Sequence, residues 1–458
     1  MKFKLKVLSF IVLVFCSINF YSIYATKIEL NNSVGRSLED LTVNESVAKC
    51  LGIFENHTGF VSSVYKFNEN TVVSCSSDYK TNDNTIKVWD IKSFSLKGTL
   101  KGHKDWIKSF FKFDENTLIS YSDNTIKVWN MDSLSLMGAF EGHTRIESVF
   151  KFDENTLVSY GKTIKVWDIK NLCLKATFEG HIGSIHSAMK FDEDTLISCA
   201  FDETIKIWDM KSLTFKGTLD ESHFGLINAV LKFDEDTLIS WSYDNTIKVW
   251  DIKSLSLKRV FKGHIDQIKS VFKFDANMLI SWSNNTINIW DMESLTLKGT
   301  LEGHTDLIKL VMKFDENTLI SYSDNIINVW DVQSLTLKGM LDGHIGLIKS
   351  VFKFDENTLI SWSNDKTIKV WDMKSLTLKG MFEGHGGPIT SVLKLNENIL
   401  ISGSIDKTIK VWNMKSLNLE ETLLGHAGRI NSILEFDEKI IVSCLDNKTI
   451  KAWSIPSF

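Results

Sequence analysis

From residue 46 to the end, the chain runs in short segments that alternate apolar and polar positions with a period of two. TIKVWD sets Ile and Val against Thr, Lys and Trp, and TLISWS and LTLKG alternate in the same way. That period, with its β-branched and aromatic residues, predicts strands rather than helices. Polar clusters such as DENT, SNDK and DMKS separate the runs and predict turns, because their side chains bond back to the local backbone. Each unit therefore reads as four short antiparallel strands, labelled a to d in chain order.

The unit recurs ten times. Trp followed by Asp, Asn or Ser returns at Trp89, Trp129, Trp167, Trp208, Trp250, Trp290, Trp330, Trp371, Trp412 and Trp453. A histidine, usually after Gly, precedes each: His57, His103, His143, His181, His223, His264, His304, His344, His385 and His426, spaced 38 to 46 residues apart. One four-stranded sheet has two faces to cover and cannot cover them alone, so neighbouring units must stack.

The pattern GH…SxSxDxTIKVWD resembles the WD40-repeat β-propeller family over residues 46–458. The resemblance implies an all-β fold of ten four-stranded blades. It also implies a hydrogen-bonded chain in each blade, running from the Asp of the b–c turn through His and the Ser of strand b to the Trp of strand c. Four units carry the full set: Asp202, His181, Ser198 and Trp208; Asp244, His223, Ser240 and Trp250; Asp365, His344, Ser361 and Trp371; and Asp406, His385, Ser402 and Trp412. A hydrolytic triad uses the same residue types, but a catalyst gains nothing from ten copies, whereas buried polar groups must be paired. In 120–125, 281–286 and 321–326 the turn is one residue short, and SYGKT (159–163) is shorter and has no Asp. Those turns are expected to hold their blades less firmly.

The chain stops five residues after Trp453, so the tenth unit has no fourth strand of its own. ESVAKCLGIFENH, residues 45–57, resembles a fourth strand followed by the His position. Pairing the two closes one ring and removes its exposed edges. Ten blades exceed the usual range of roughly four to eight, so two smaller rings remain the alternative. Between the serines of strand b stand Tyr121, Tyr160, Trp241, Trp282, Tyr322 and Trp362 in six units, Cys75, Cys199 and Cys444 in three, and Gly403 in one. More blades mean a smaller angle between neighbours, and bulky side chains here are expected to space the inner strands. Cys50 and Cys444 would share the last blade two strands apart, about 9.5 Å, beyond disulfide reach.

Composition adds limits. The chain has 458 residues, 43% apolar and 24% charged, enough for a large core. The net charge of −5, with interspersed signs, offers no basic field for nucleic acid. Residues 1–25 differ: Lys2, Lys4 and Lys6 precede an uncharged stretch ending at Ala25, as in a signal peptide. Cleavage would take the charge to −8 and place the ring outside the cytoplasm; an uncleaved membrane anchor is the alternative. Residues 26–45 form an extension. Cysteine spacing indicates no metal site, and nothing indicates a cofactor.

Function must come from sites, since the propeller hosts many activities. The resemblance places partner contacts on the top face, at the third and fifth residues after His and just before the turn Asp. Those positions hold Phe60, Trp106, Leu226, Leu307, Leu347 and Arg429, then Lys108, His186, Lys269, Lys309 and Lys349, then Phe201 and Tyr243. The expectation is a monomeric, non-catalytic scaffold for protein or peptide partners, with an acidic segment bearing apolar anchors as the guessed ligand. A propeller enzyme and a cytosolic or anchored adaptor are the rival readings.

Overall fold

The computed structural model describes residues 48–54, 57–59, 61–76, 83–219, 223–426, 428–445 and 450–456. They form ten antiparallel four-stranded sheets arranged as the blades of one ring. Blades 1 to 10 begin at Val61, Ser109, Ile146, Ile185, Ile227, Ser270, Leu310, Ile348, Ile389 and Ile430. In blade 8 the strands are Ile348–Asp355, Thr358–Ser363, Ile368–Asp372 and Thr377–Phe382. The segment 1–25 and the extension 26–45 lie outside the described residues, and no helix among the described residues is long and apolar enough to cross a membrane.

Closure follows the expected exchange. Lys49–Phe54, from the front of the chain, is the fourth strand of blade 10 and pairs with Ile450–Ser454. Phe54 is 2% exposed and lies 5.4 Å from Trp89 of blade 1. Lys66 of blade 1 reaches back to the carbonyl of Phe436 in blade 10 at 2.6 Å, so the ends meet and two separate rings are excluded. Cys50 and Cys444 are free thiols, paired opposite Trp453 and Ile450 respectively.

The Lys66 contact is one of nine alike. Near the lower end of strand a, Lys112, Lys151, Lys190, Lys232, Lys273, Lys313, Lys353 and Lys394 each stand over a phenylalanine of the preceding blade, 4.3 to 5.1 Å from its centroid. Ammonium over a ring face is attractive, and most of these lysines also donate to that phenylalanine's carbonyl. Only between blades 9 and 10 does the pair change, to Leu395 and Glu435.

The core lies between blades. Tyr121, Tyr160, Trp241, Trp282 and Tyr322 are all buried, and Trp362 is mostly so. Each packs against the inner strand of the following blade: Trp282 meets Ile308 and Val311, and Trp362 meets Ile389 and Val392. Gly403 is the natural contrast, since a Cβ there would lie 2.5 Å from Ile430 Cγ2. Where the spacer is missing, the next blade has moved into its place.

Candidate partner-binding face

The loops from strand d to the next strand a, and the turns from b to c, share one end of the ring, here called the top. Each loop turns at a His whose side chain is drawn into the sheet. In blade 8 His344 Nδ1 lies 2.7 Å from Asp365 Oδ2, its Nε2 lies 2.8 Å from Ser361 Oγ, and Trp371 Nε1–H donates to that hydroxyl at 2.8 Å. The sets in blades 4, 5 and 9 match it, with Asp202–His181 at 3.0 Å, Asp244–His223 at 2.9 Å and Asp406–His385 at 2.8 Å. The linked hydroxyls are those of Ser198, Ser240 and Ser402, which accept from Trp208, Trp250 and Trp412.

Blade 1 supplies a fifth set that the sequence reading missed. Asp83 lies 3.3 Å from His57 Nδ1, and Ser74 joins His57 to Trp89. An insertion of five residues hid it from fixed spacing, while the unbroken DNT at 83–85 was its remaining sign. Short turns behave differently. With one residue fewer, Thr125 stands 3.3 Å from His103 Nδ1 in place of a carboxylate, and Asp123 turns out to Lys108 at 2.6 Å. Blade 7, with Ile326 in place of the Thr, repeats the outward turn of the aspartate, Asp324 meeting Lys309 at 2.6 Å. In blade 3 the shortest turn needs Gly161, where a Cβ would lie 1.9 Å from the Arg145 carbonyl.

These sets are not hydrolytic. The Ser of every blade is 0% exposed, so no substrate carbonyl could reach its hydroxyl. Electrostatics agree. Burial holds His181, His223, His344 and His385 below their usual pKa despite the neighbouring Asp. Burial also works against ionised Asp202, but bonds from Thr204, Ile182 and His181 outweigh it and leave its pKa at about 2. A neutral His beside an ionised Asp is the resting state, and the net negative charge stays on the loop.

That carboxylate has a second task. It accepts the backbone N–H of the residue after His: Ile182 at 2.8 Å, Phe224 at 3.0 Å, Ile345 at 3.0 Å and Gly386 at 2.7 Å. The amide is pulled inward, and the side chain of the same residue is left standing in solvent. Ile182, Phe224, Ile265 and Ile345 are 91, 95, 93 and 95% exposed. The sequence reading did not single out this position. Its sign was an Ile or Phe in a polar loop, where blades 2, 3 and 7 carry Lys104, Thr144 and Thr305.

The residues expected on this face divide. Trp106, Phe201, Leu226, Tyr243, Leu307 and Leu347 are 37 to 56% exposed, and Arg429 is exposed. Phe60 lies outside the described residues. Lys108 and Lys309 are held by Asp123 and Asp324, and Lys108 also donates to the Ile146 carbonyl of the next blade at 2.5 Å. Asn228 and Thr390, at the equivalent position, reach Ile268 and Ile430 in the same way. The fifth position therefore pins neighbouring blades together, and Lys269 and Lys349 are the lysines left at the surface. His186 sits 5.3 Å from Phe201 with both ring nitrogens shielded from solvent, so it presents no base to the face.

Exposed apolar groups thus gather over blades 4 to 8. The loops, turns and bordering strand ends there carry Glu179, Asp202, Glu203, Asp244, Asp266, Glu302, Asp306, Asp324, Asp342 and Asp365 against Lys262, Lys269, Lys309, Lys349 and Lys366. Beneath them lie the strand-c lysines Lys206, Lys248 and Lys369, a position that is Asn288 and Asn328 in blades 6 and 7. On blades 2 and 3 the balance reverses, with Lys101, Lys104, Lys108, Arg145 and Lys162 against Asp105, Asp123, Glu141 and Glu147.

A closed ring of four-stranded blades with its loops turned on buried histidines defines a β-propeller. A family model described as "WD domain, G-beta repeat" matches residues 48–90, 94–130, 172–209, 255–291, 295–331, 335–372, 376–413 and 417–454. The chain belongs to the WD40-repeat family, whose members are generally protein-interaction scaffolds and typically not enzymes. The stretches between matched segments, 131–171 and 210–254, fold into the same strand pattern. No curated protein matches the chain. Among solved structures, the crystal structure of the computationally designed Ika8 protein is similar at 30% identity, covering 68% of this chain and 96% of that one, with a TM-score of 0.45.

Proposed function

We propose that this chain is a non-catalytic adaptor that holds a protein partner against the top of blades 4 to 8. One observation carries the reading: four apolar side chains stand more than nine-tenths exposed on one side of the ring, three of them over an amide clamped by an aspartate. Ordering apolar groups in water has no stabilising return for the ring itself, whereas a partner that covers them gains from their burial. Near-identical strands beneath a varied face support the same conclusion. The charged and apolar parts of residues 1–25 support export of the ring, which N-terminal sequencing of the mature protein tests.

The test is affinity capture with the full chain and with a variant carrying Ile182→Ser, Phe224→Ser, Ile265→Ser and Ile345→Ser. The variant should melt within a few degrees of the parent and lose the partner that the parent retains. A variant that keeps every captured protein would refute the reading.

A further inference from the structure

Resting on that reading, the geometry points to a partner segment that carries basic side chains beside its apolar anchors, and not to an acidic one. Two of the four lysines that favoured an acidic ligand are engaged elsewhere: Lys108 and Lys309 are closed by Asp123 and Asp324 at 2.6 Å. The loops and turns bordering Ile182, Phe224, Ile265 and Ile345 carry an excess of carboxylates, ten against five ammonium groups, of which Asp202, Asp244 and Asp365 keep only 10 to 11% of the side chain exposed. Three of the ten are fixed in place. Asp202, Asp244 and Asp365 accept the amides under three of the exposed side chains, within 3.0 Å. The middle of the arc also lacks the lysine that strand c places beneath the face elsewhere, having Asn288 and Asn328 instead.

An anchor seated on Ile182, Phe224 or Ile345 therefore brings its flanking residues over fixed negative charge. Lysine or arginine there is drawn in, while glutamate or aspartate is repelled, and the difference weakens with salt. The opposite arc, on blades 2 and 3, is balanced or slightly basic, so recognition is confined to one side of the ring. An anionic lipid surface or a nucleic acid meets the same repulsion as an acidic peptide.

The experiment uses the full chain and two synthetic amphipathic peptides of equal length and identical apolar pattern, one with lysine and one with glutamate at every polar position. Fluorescence anisotropy should show the lysine peptide binding about tenfold tighter at low salt, with the gap closing as salt rises. Combining Glu179→Gln, Glu302→Gln and Asp342→Asn should erase most of that gap, while Ile265→Ser with Ile345→Ser should weaken the lysine peptide on either charge background. Equal or tighter binding of the glutamate peptide, lost on Ile265→Ser with Ile345→Ser, overturns the basic partner and leaves the proposed face standing. Binding of either peptide that survives the isoleucine changes, or no binding at all, overturns both. Preferential binding of anionic vesicles or single-stranded DNA likewise overturns the inference.

Discussion

The backbone N–H of Ile345 donates to Asp365 Oδ2 at 3.0 Å, and that oxygen also lies 2.7 Å from His344 Nδ1. One carboxylate therefore ties the buried histidine to the outermost residue of the loop. Replacing Asp365 by Ala leaves the loop amide without its acceptor and the buried imidazole with only Thr367 Oγ1, at 3.3 Å, and bonds to charged groups are worth about 1.5–3 kcal/mol. We expect Asp365→Ala to cost about 2 kcal/mol in urea unfolding and Asp365→Asn less. Hydrogen exchange of the Ile345 amide should quicken before the rest of blade 8 loosens. An Ile345 amide as slow in the variant as in the parent would contradict the clamp.

Acid should weaken the ring in two stages. Burial, joined by nearby lysines at two sites, holds His103, His143, His264 and His304 at about 4, against 6.5 for the free side chain. Between those values the unfolded chain binds more protons than the folded ring, so stability is fully present above pH 6.5 and falls as the pH drops toward 4. The aspartates extend the loss: with Asp202 at about 2, its contribution goes between about pH 3.8 and 2. Urea midpoints measured from pH 7.5 to 4.5 should hold down to about pH 6.5 and then decline. A flat profile over that range would show that the histidines titrate alike in both states.

Much of this architecture was legible because it is repeated. Ten copies of one His and one Trp fix the blade, and the surplus strand at residues 45–57 matches the one missing after Trp453. The site was less legible, because what distinguishes blades lies in the loops. Spacing alone missed Asp83, which returns to His57 across an inserted loop. Residue type alone overvalued Lys108 and Lys309, because a turn shortened by one residue redirects an aspartate toward them. The exposure of Ile182 and Ile345 depends on which way a clamped amide turns its side chain, and no periodicity encodes that.

The spacers between blades allow a reciprocal test. Trp282 fills the space between its own strand and Ile308 and Val311 of blade 7, so Trp282→Ala opens a cavity and should cost about 3–5 kcal/mol. Gly403 occupies the same position where Ile430 has closed the gap, so Gly403→Trp should overpack it and cost about 1–3 kcal/mol or more. Denaturant midpoints of the two variants check the pair. A neutral Gly403→Trp would mean that blades 9 and 10 part freely, and that residue size does not set their separation.

Closure of the ring depends on a strand that no covalent bond joins to its partner. Lys49–Phe54 pairs with Ile450–Ser454, and Ala48 donates to Glu421 of blade 9 at 2.6 Å. Phe54 anchors that strand in the cluster containing Phe436, Val442 and Ala452. Phe54→Ala should therefore cost about 3–5 kcal/mol, as for other large buried side chains. The equivalent change in blade 8, Phe382→Ala, removes similar buried area from a strand the chain holds on both sides. Stability losses should then be alike, but only Phe54→Ala should free the edge of Ile450–Ser454 for pairing with another molecule. Size-exclusion chromatography near the midpoint should show association for Phe54→Ala and not for Phe382→Ala. Equal association by both variants would mean that the seam is no weaker than any other junction.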